Sequence, residues 1–139
     1  MKLLTLFISA LLLSLAADAQ SSTTSAADSS TLTRYVRLVP EAFHTTLAAL
    51  PNEQLIDVRT PTEYAQGHLP EATLIDFRSP HFERNISRLD QDRPVMIYCA
   101  KGGRSTAAAT RLRKLGFREI YELDGGFTEW IRADRPVAQ

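Results

Sequence analysis

The sequence predicts an α/β fold in which a mainly parallel central sheet is covered by helices on both faces. Short apolar runs typical of strands alternate with stretches whose apolar residues recur at helical spacing. The run at 95–98, Val-Met-Ile-Tyr, is apolar throughout, as expected for a strand buried on both sides of a parallel sheet. Residues 34–139 are long enough for one compact domain of this kind and too short for two.

Five elements are predicted in the first part of this domain. Residues 40–50 carry apolar side chains at helical spacing and end at a proline, and residues 54–58 form a strand. The tetrapeptide Thr-Pro-Thr-Glu at 60–63 opens a short helix, because threonine caps it, proline suits the first helical position and glutamate completes a capping box. Residues 72–77 are interpreted as a second strand and residues 80–89 as a helix.

The second part of the domain continues the alternation. The strand at 95–98 is followed by a helix at 105–115, a strand at 119–123 and a last helix that starts at the Gly-Gly pair 125–126. Gly116 is the expected C-cap of the helix at 105–115. Since ligands of such folds bind at the carboxyl ends of the strands, the residues that follow the strands at 54–58 and 95–98 are expected to share one site.

The first 19 residues are predicted to be a signal peptide. Lys2 precedes an apolar stretch at 3–15, and Ala-Asp-Ala at 17–19 fits the small-x-small cleavage pattern. The apolar stretch is short for a membrane span, so no stable membrane anchor is expected after cleavage. The protein is therefore expected to be exported, either periplasmic or secreted. Residues 20–33, rich in Ser and Thr, are predicted to be a flexible leader to the domain at 34–139.

Composition narrows the range of partners. The chain has 16 basic and 16 acidic residues, and loss of the signal peptide removes Lys2 and Asp18, one of each sign. A domain with equal numbers of basic and acidic residues gives no support for nucleic-acid binding. No two of the three histidines lie at ligand spacing, so no metal site is expected.

Cys99, the only cysteine in the chain, opens a loop between a strand and a helix. Backbone N–H groups and the positive end of the helix dipole stabilise an anion at such a place. Nearby positive side chains add to this effect, so Cys99 is predicted to have a lowered pKa and to act as a nucleophile rather than as an inert buried thiol. The other residues of the predicted site are Ala100, Lys101, Gly102, Gly103, Arg104 and Ser105.

Four segments carry distinctive motifs. They are Leu-Ile-Asp-Val-Arg-Thr-Pro-Thr-Glu-Tyr at 55–64, Gly-His-Leu-Pro-Glu-Ala at 67–72, Cys-Ala-Lys-Gly-Gly-Arg-Ser at 99–105 and Leu-Asp-Gly-Gly-Phe-Thr-Glu-Trp at 123–130. In this order and spacing they resemble the motifs of the rhodanese-like domain family. One departure is Glu71, where the family usually has glycine.

The resemblance implies a thiosulfate sulfurtransferase that works without a cofactor. Cys99 would take the outer sulfur from a small-molecule donor such as thiosulfate, hold it as a persulfide and pass it to a thiophilic acceptor, cyanide or a thiol. Backbone N–H groups of residues 100–105 would stabilise the persulfide anion.

Two side chains near Cys99 have more than one possible role. Arg104 either faces the substrate anion or folds back onto an acidic neighbour, and Ser105 either caps the helix or hydrogen-bonds the sulfur. Lys101 is expected to attract anionic thiosulfate. Asp57 and Arg59 are expected to form a supporting ion pair that braces the loop rather than to bind substrate directly.

Two other functions are compatible with a reactive cysteine. Cysteine phosphatases and related arsenate reductases place five residues between cysteine and arginine, whereas four separate Cys99 from Arg104, a loop better suited to one sulfur atom. The second alternative is a module that delivers its persulfide to a protein acceptor without turning over small molecules. An intact loop serves that role equally well.

Overall fold

The computed structural model describes residues 32–139, which form five strands and five helices. In chain order they are β1 (Arg34–Leu38), α1 (Pro40–Ala49), β2 (Gln54–Asp57), α2 (Pro61–Ala65), β3 (Thr73–Leu74), α3 (Phe82–Ile86), β4 (Val95–Tyr98), α4 (Gly103–Lys114), β5 (Glu119–Leu123) and α5 (Gly126–Arg132). The predicted signal peptide, and all of the predicted leader except its last two residues, lie outside the described residues.

The five strands form one parallel sheet in the order β1-β5-β4-β2-β3. In this register Asp57 on β2 lies beside Tyr98 on β4, and Ile97 on β4 lies beside Glu122 on β5. The carboxyl ends of these three strands therefore meet at one edge of the sheet, which is where Cys99 follows β4.

The strands bury side chains on both faces, as the sequence predicts. Along β4, Val95 and Ile97 join one apolar cluster, which also includes residues of α3 and α4, and Met96 and Tyr98 join the other, which includes Phe43 of α1. Trp130 of α5 belongs to the second cluster and is 1% exposed. The predicted α/β class, with helices on both faces, is confirmed.

One strand is missing from the sequence-based prediction. β1 pairs in parallel with β5 at the edge of the sheet, from Arg34 opposite Glu119 to Leu38 opposite Leu123. The residues just before Pro40 carry a strand signal, because they mix charged residues with Tyr35 and Val36. An edge strand is half buried, so its apolar pattern is weak.

Three predicted elements have different lengths in the structure. The strand predicted at 72–77 is confined to Thr73–Leu74, since the chain turns at Asp76, whose carboxylate accepts a hydrogen bond from the Arg78 amide. The helix predicted at 80–89 is confined to Phe82–Ile86, and the helix predicted at 105–115 begins two residues earlier, at Gly103.

Local signals read from the sequence are present at the ends of two helices. The Thr60 amide donates to Glu63 Oε2 and the Glu63 amide donates to Thr60 Oγ1, which completes the capping box of α2. Gly116, predicted as the C-cap of α4, lies one residue beyond the observed C-cap, Leu115, and has a φ of +89°. Within residues 32–139, every helix is too short or too polar to cross a membrane.

Candidate active site

Cys99 directly follows β4 and opens the short loop that leads to the amino end of α4 at Gly103. Its side chain belongs to the buried core and is 1% exposed. The Gly102 amide donates a hydrogen bond to the sulfur over 3.0 Å. Gly102 itself has a φ of +112°, a left-handed conformation that glycine adopts without strain, and this turn curls the loop around the sulfur.

Two opposing effects set the acidity of this thiol. Burial raises the pKa of Cys99, whereas hydrogen bonds from the Ser105 side chain and from the backbone amides of Ser105, Gly102 and Lys101 lower it. The hydrogen bonds outweigh burial, so the pKa of Cys99 lies below its ordinary value. The Ser105 hydroxyl contributes only while its single proton points at the sulfur.

The amino end of α5 packs against the backbone of the active-site loop. The amides of Phe127 and Thr128 donate hydrogen bonds of 2.8 and 3.0 Å to the carbonyl oxygens of Cys99 and Ala100. The two backbones approach so closely that a methyl group on Gly126 would lie 2.5 Å from the Cys99 carbonyl oxygen. Glycine at this position is therefore required by the contact between α5 and the loop.

Arg104 does not enclose the space in front of the sulfur. Its guanidinium folds back onto Glu63 of α2, with Nη1 and Nη2 each 2.7 Å from a carboxylate oxygen. Of the two orientations left open by the sequence, the structure shows the one that ties the loop to an acidic neighbour. Glu63 thus has two functions, since the same carboxylate closes the capping box of α2.

Asp57 and Arg59 form a buried ion pair at the end of β2. Arg59 Nη2 donates to Asp57 Oδ2 over 2.7 Å and to the Gly67 carbonyl over 2.7 Å. The guanidinium carbon also lies 4.0 Å from the centre of the Phe127 ring, a cation–π contact. The pair links the end of β2 to the turn at Gly67 and to α5, which itself supports the active-site loop.

Lys101 and Gly103 are the exposed residues of the loop, whereas Ser105 is fully buried. The Ser105 oxygen lies 3.4 Å from Cys99 Sγ, 3.0 Å from the Gly102 carbonyl oxygen and 2.6 Å from Glu122 Oε1. Ser105 therefore contacts the sulfur, as one of its two sequence-based interpretations predicts, whereas the other is wrong because the N-cap of α4 is Gly102 and no side chain caps the helix.

The family assignment comes from a comparison with known sequences. The family model described as "Rhodanese-like domain" matches residues 40–133. The chain belongs to the rhodanese-like domain family. This match covers most of the residues that the structure describes and includes all four motifs singled out above.

Relatives of this rhodanese-like chain include proteins named for sulfur transfer. It is 34% identical over 97 residues to a protein named "Sulfurtransferase" from Allochromatium vinosum, covering 70% of this chain and 89% of the relative. It is 36% identical over 100 residues to "Thiosulfate sulfurtransferase GlpE" from Stutzerimonas stutzeri, covering 71% and 87%. Among solved structures, the rhodanese-related protein of Thermoplasma volcanium superimposes with a TM-score of 0.66 at 27% identity, over 75% of this chain and 98% of that one.

Three residues of the rhodanese-like site were not identified as site residues from the sequence. Glu63 was interpreted as a helix cap only, and its position opposite Arg104 depends on the packing of α2. Gly126 was interpreted as the start of a helix, although its close approach to the loop depends on tertiary contact. Glu122 lies in the strand Glu-Ile-Tyr-Glu-Leu, whose sequence carried no signal that this carboxylate is buried.

Proposed function

We propose that this protein is a sulfurtransferase that carries sulfane sulfur as a persulfide on Cys99. The observation that carries the proposal is the position of the sulfur, 3.0 Å from the Gly102 amide and at the amino end of the 12-residue helix α4. An amide and a helix dipole at this place stabilise a thiolate and equally a persulfide anion. The names of the relatives support sulfur transfer, with thiosulfate as the proposed donor.

In the first step the Cys99 thiolate attacks the outer sulfur of thiosulfate. A new bond forms between Sγ and that sulfur, and the S–S bond of thiosulfate breaks. Its electron pair leaves with sulfite, so Cys99 then carries an S–S⁻ group. Because the lowered pKa of Cys99 makes the thiolate available, this step requires no general base.

In the second step an acceptor nucleophile attacks the outer sulfur of the persulfide. The bond to Sγ breaks, its electron pair returns to Cys99, and the thiolate is regenerated. Cyanide becomes thiocyanate by this step, and a thiolate becomes a persulfide. The leaving group of this second step is the Cys99 thiolate, so the amides that favour its formation in the resting enzyme also favour this departure.

Lys101 is the proposed attractor of the donor. Lys101 is exposed and follows Cys99 by two residues, so its positive charge raises the local concentration of a dianion at the loop. The Arg104 guanidinium is paired with Glu63, so attraction of the anionic donor is assigned to Lys101.

The geometry of Arg104 argues against the phosphatase alternative. A tetrahedral oxyanion enclosed by such a loop requires an arginine that turns inward, whereas Arg104 forms two hydrogen bonds with Glu63. A module that delivers its persulfide to a protein acceptor remains the second candidate, because the buried sulfur and its amide donor would serve that partner as well.

Export is a separate proposal that rests on the composition of residues 1–19. Their apolar stretch and Ala-Asp-Ala sequence support cleavage before Gln20 and a periplasmic or secreted mature protein. Expression of the full chain followed by mass measurement of the protein from each cell fraction tests this. A mature form starting at Gln20 outside the cytoplasm is expected, and a full-length cytoplasmic product would contradict export.

Intact mass spectrometry before and after treatment with thiosulfate tests sulfur transfer. The expected result is a gain of one sulfur atom, lost on addition of cyanide and absent in Cys99→Ser. Repeated turnover with thiosulfate and cyanide distinguishes an enzyme from a delivery module, which would load once and transfer only to its partner. Failure of the wild-type protein to gain sulfur from thiosulfate would contradict the proposed donor.

A further inference from the structure

Glu122 is a buried carboxylate beneath the active-site loop that has no part in the two steps above. It lies on β5 and its side chain is 0% exposed. Oε1 accepts hydrogen bonds from the hydroxyls of Ser105 and Thr106, at 2.6 and 2.8 Å, and Oε2 accepts one from the Tyr35 hydroxyl. A carboxylate surrounded by hydroxyl donors is well satisfied, so its burial is compatible with a negative charge.

The Ser105 hydroxyl has one proton and lies between this carboxylate and the catalytic sulfur. Its oxygen is 2.6 Å from Glu122 Oε1 and 3.4 Å from Cys99 Sγ. Hydrogen bonds to charged oxygen acceptors are short and strong, and the sulfur of a neutral thiol is a weak acceptor. The distances, and for the thiol also the acceptor strength, place the proton on the Glu122 side of the hydroxyl.

We propose that Glu122 is a positioning residue that holds the Ser105 proton, so that the hydroxyl presents a lone pair, rather than a proton, to Cys99. This inference deepens the proposed sulfur transfer and rests on it for its catalytic meaning. In this orientation Ser105 accepts a hydrogen bond from the thiol and gives none to the thiolate. Glu122 thereby withholds the one side-chain donor that would stabilise the Cys99 anion.

The charged and titratable groups around Glu122 and Cys99 are consistent with this assignment. From β1, Tyr35 faces Glu122, and the Arg37 Nε lies 3.8 Å from Oε2 while its Nη2 pairs with exposed Asp124. Burial, and then the hydrogen bond and negative charge of Glu122, raise the pKa of Tyr35 to about 12, so the phenol stays a donor. The active-site loop itself carries exposed Lys101 and Arg104, which is paired with Glu63.

Withholding this proton has a chemical benefit. A thiolate that is stabilised too strongly is a poor nucleophile, and the optimum attacking thiol has a pKa near the ambient pH. The Ser105 proton lowers the pKa of Cys99 when it points at the sulfur, and the backbone amides lower it as well, in opposition to burial. Glu122 thus balances the population of thiolate against its reactivity.

The test is the pH dependence of alkylation of Cys99 by iodoacetamide, followed by intact mass. Glu122→Gln keeps the size of the side chain and an oxygen acceptor, but it removes the charge that holds the Ser105 proton. We expect the midpoint of its alkylation profile to move to lower pH by about one unit. The matched control is Asp124→Asn, which removes a carboxylate from the same end of β5 without contact to Ser105, and it should leave the midpoint in place.

Ser105→Ala shows whether the effect passes through the hydroxyl. Alone, it should leave the midpoint unchanged or move it slightly to lower pH, since the hydroxyl gives no proton to the thiolate and accepts one from the thiol when Glu122 is present. In the Ser105→Ala background, Glu122→Gln should lose most of its shift. An equal shift in both backgrounds would show that charge acts through space, and this would overturn the proposal.

Two further outcomes would also overturn the assignment of Glu122. One is an unchanged midpoint in folded Glu122→Gln, and the other is a higher midpoint in Ser105→Ala, which would show that the hydroxyl donates to the thiolate. If Glu122→Gln fails to fold, the alkylation midpoint of Ser105→Ala tests the proposal by itself. Alkylation requires no sulfur donor, so its outcome is independent of whether the wild-type protein gains sulfur from thiosulfate.

Discussion

Arg104 and Glu63 meet in a two-point ion pair, with both nitrogen–oxygen distances at 2.7 Å, although 41 residues separate them in the chain. The pair fastens the first turn of α4, and so the end of the active-site loop, to α2. Because the same carboxylate caps α2, Glu63 is held in position by its own helix as well as by Arg104. The loop arginine of this protein acts as a brace.

Glu63→Gln should weaken this brace while leaving the capping hydrogen bonds possible. The hydrogen bond from Arg104, opposed in part by burial, holds the pKa of Glu63 well below its ordinary value. Its stabilising effect is therefore full above the ordinary pKa of a glutamate, and it is lost as the pH falls toward the depressed folded-state pKa. We expect a loss of about 1 kcal/mol in the free energy of unfolding at pH 7, measured by urea titration, and a smaller difference from wild type at low pH.

The control for Glu63→Gln is Asp92→Asn, which removes a more exposed ion pair with Arg118 at 3.1 Å. That change should cost less than about 0.5 kcal/mol, because exposed pairs contribute little. Equal losses for the two variants, or a difference from wild type that grows as the pH falls, would contradict the assigned role of the Arg104–Glu63 pair.

Cys99→Ser should abolish sulfur transfer and leave the fold in place. A serine hydroxyl is not ionised at neutral pH and forms no persulfide, but it fits the space and accepts the Gly102 amide hydrogen bond. The free energy of unfolding should change by no more than about 1 kcal/mol. Thiocyanate formation and thermal unfolding measure the two effects, and measurable turnover by the folded variant would refute the persulfide mechanism.

Lys101→Ala should raise the KM for thiosulfate about two- to fivefold with little change in kcat, since an exposed charge pair is worth up to about 1 kcal/mol. Added salt should reduce the difference from wild type, because it screens the attraction. Lys114→Ala removes another exposed charge, at the far end of α4, and serves as the control. If both variants have the same KM, Lys101 is an ordinary solvated charge.

Gly126→Ala should displace the active-site loop. The added methyl group would lie 2.5 Å from the Cys99 carbonyl oxygen, and Gly126 has a φ of +61° that disfavours alanine. We expect a loss of at least about 2 kcal/mol in the free energy of unfolding, together with slower loading of sulfur from thiosulfate. Gly103→Ala is the stability control, because a methyl group there meets nothing within 4 Å, and comparable destabilisation by both changes would be inconsistent with the contact.

Glu71→Gly should stabilise the protein. Glu71 stands where the family usually has glycine, yet it adopts a φ of +65°, a left-handed conformation that costs about 1–2 kcal/mol for a residue with a Cβ atom. Glycine removes that strain but adds conformational entropy to the unfolded chain, so the expected net gain is about 0.5–1 kcal/mol by urea titration. Glu71→Ala keeps the strain and should give no gain; a gain from alanine as large as that from glycine would show that the glutamate side chain, rather than the backbone, is unfavourable.

Much of the fold could be predicted because its signals are local. The all-apolar run of β4 and the helical spacing in α4 each specify one element, and the Thr60–Glu63 capping box marks the start of α2. β1 was missed and the strand and helix that follow α2 were predicted too long, because exposed edges and short turns carry weak periodicity.

The sequence by itself determined that a lone cysteine follows a buried strand, opens a glycine-containing loop and precedes a helix, which is sufficient to predict a reactive thiol. Only the tertiary structure decided that Arg104 binds Glu63, that Gly126 must be small and that Glu122 lies buried against Ser105. The physical reason is the strand order, which brings the ends of β2, β4 and β5 together and so joins residues far apart in the chain. Such contacts depend on packing between elements. A local sequence pattern contains no information on which distant side chain a given residue will contact.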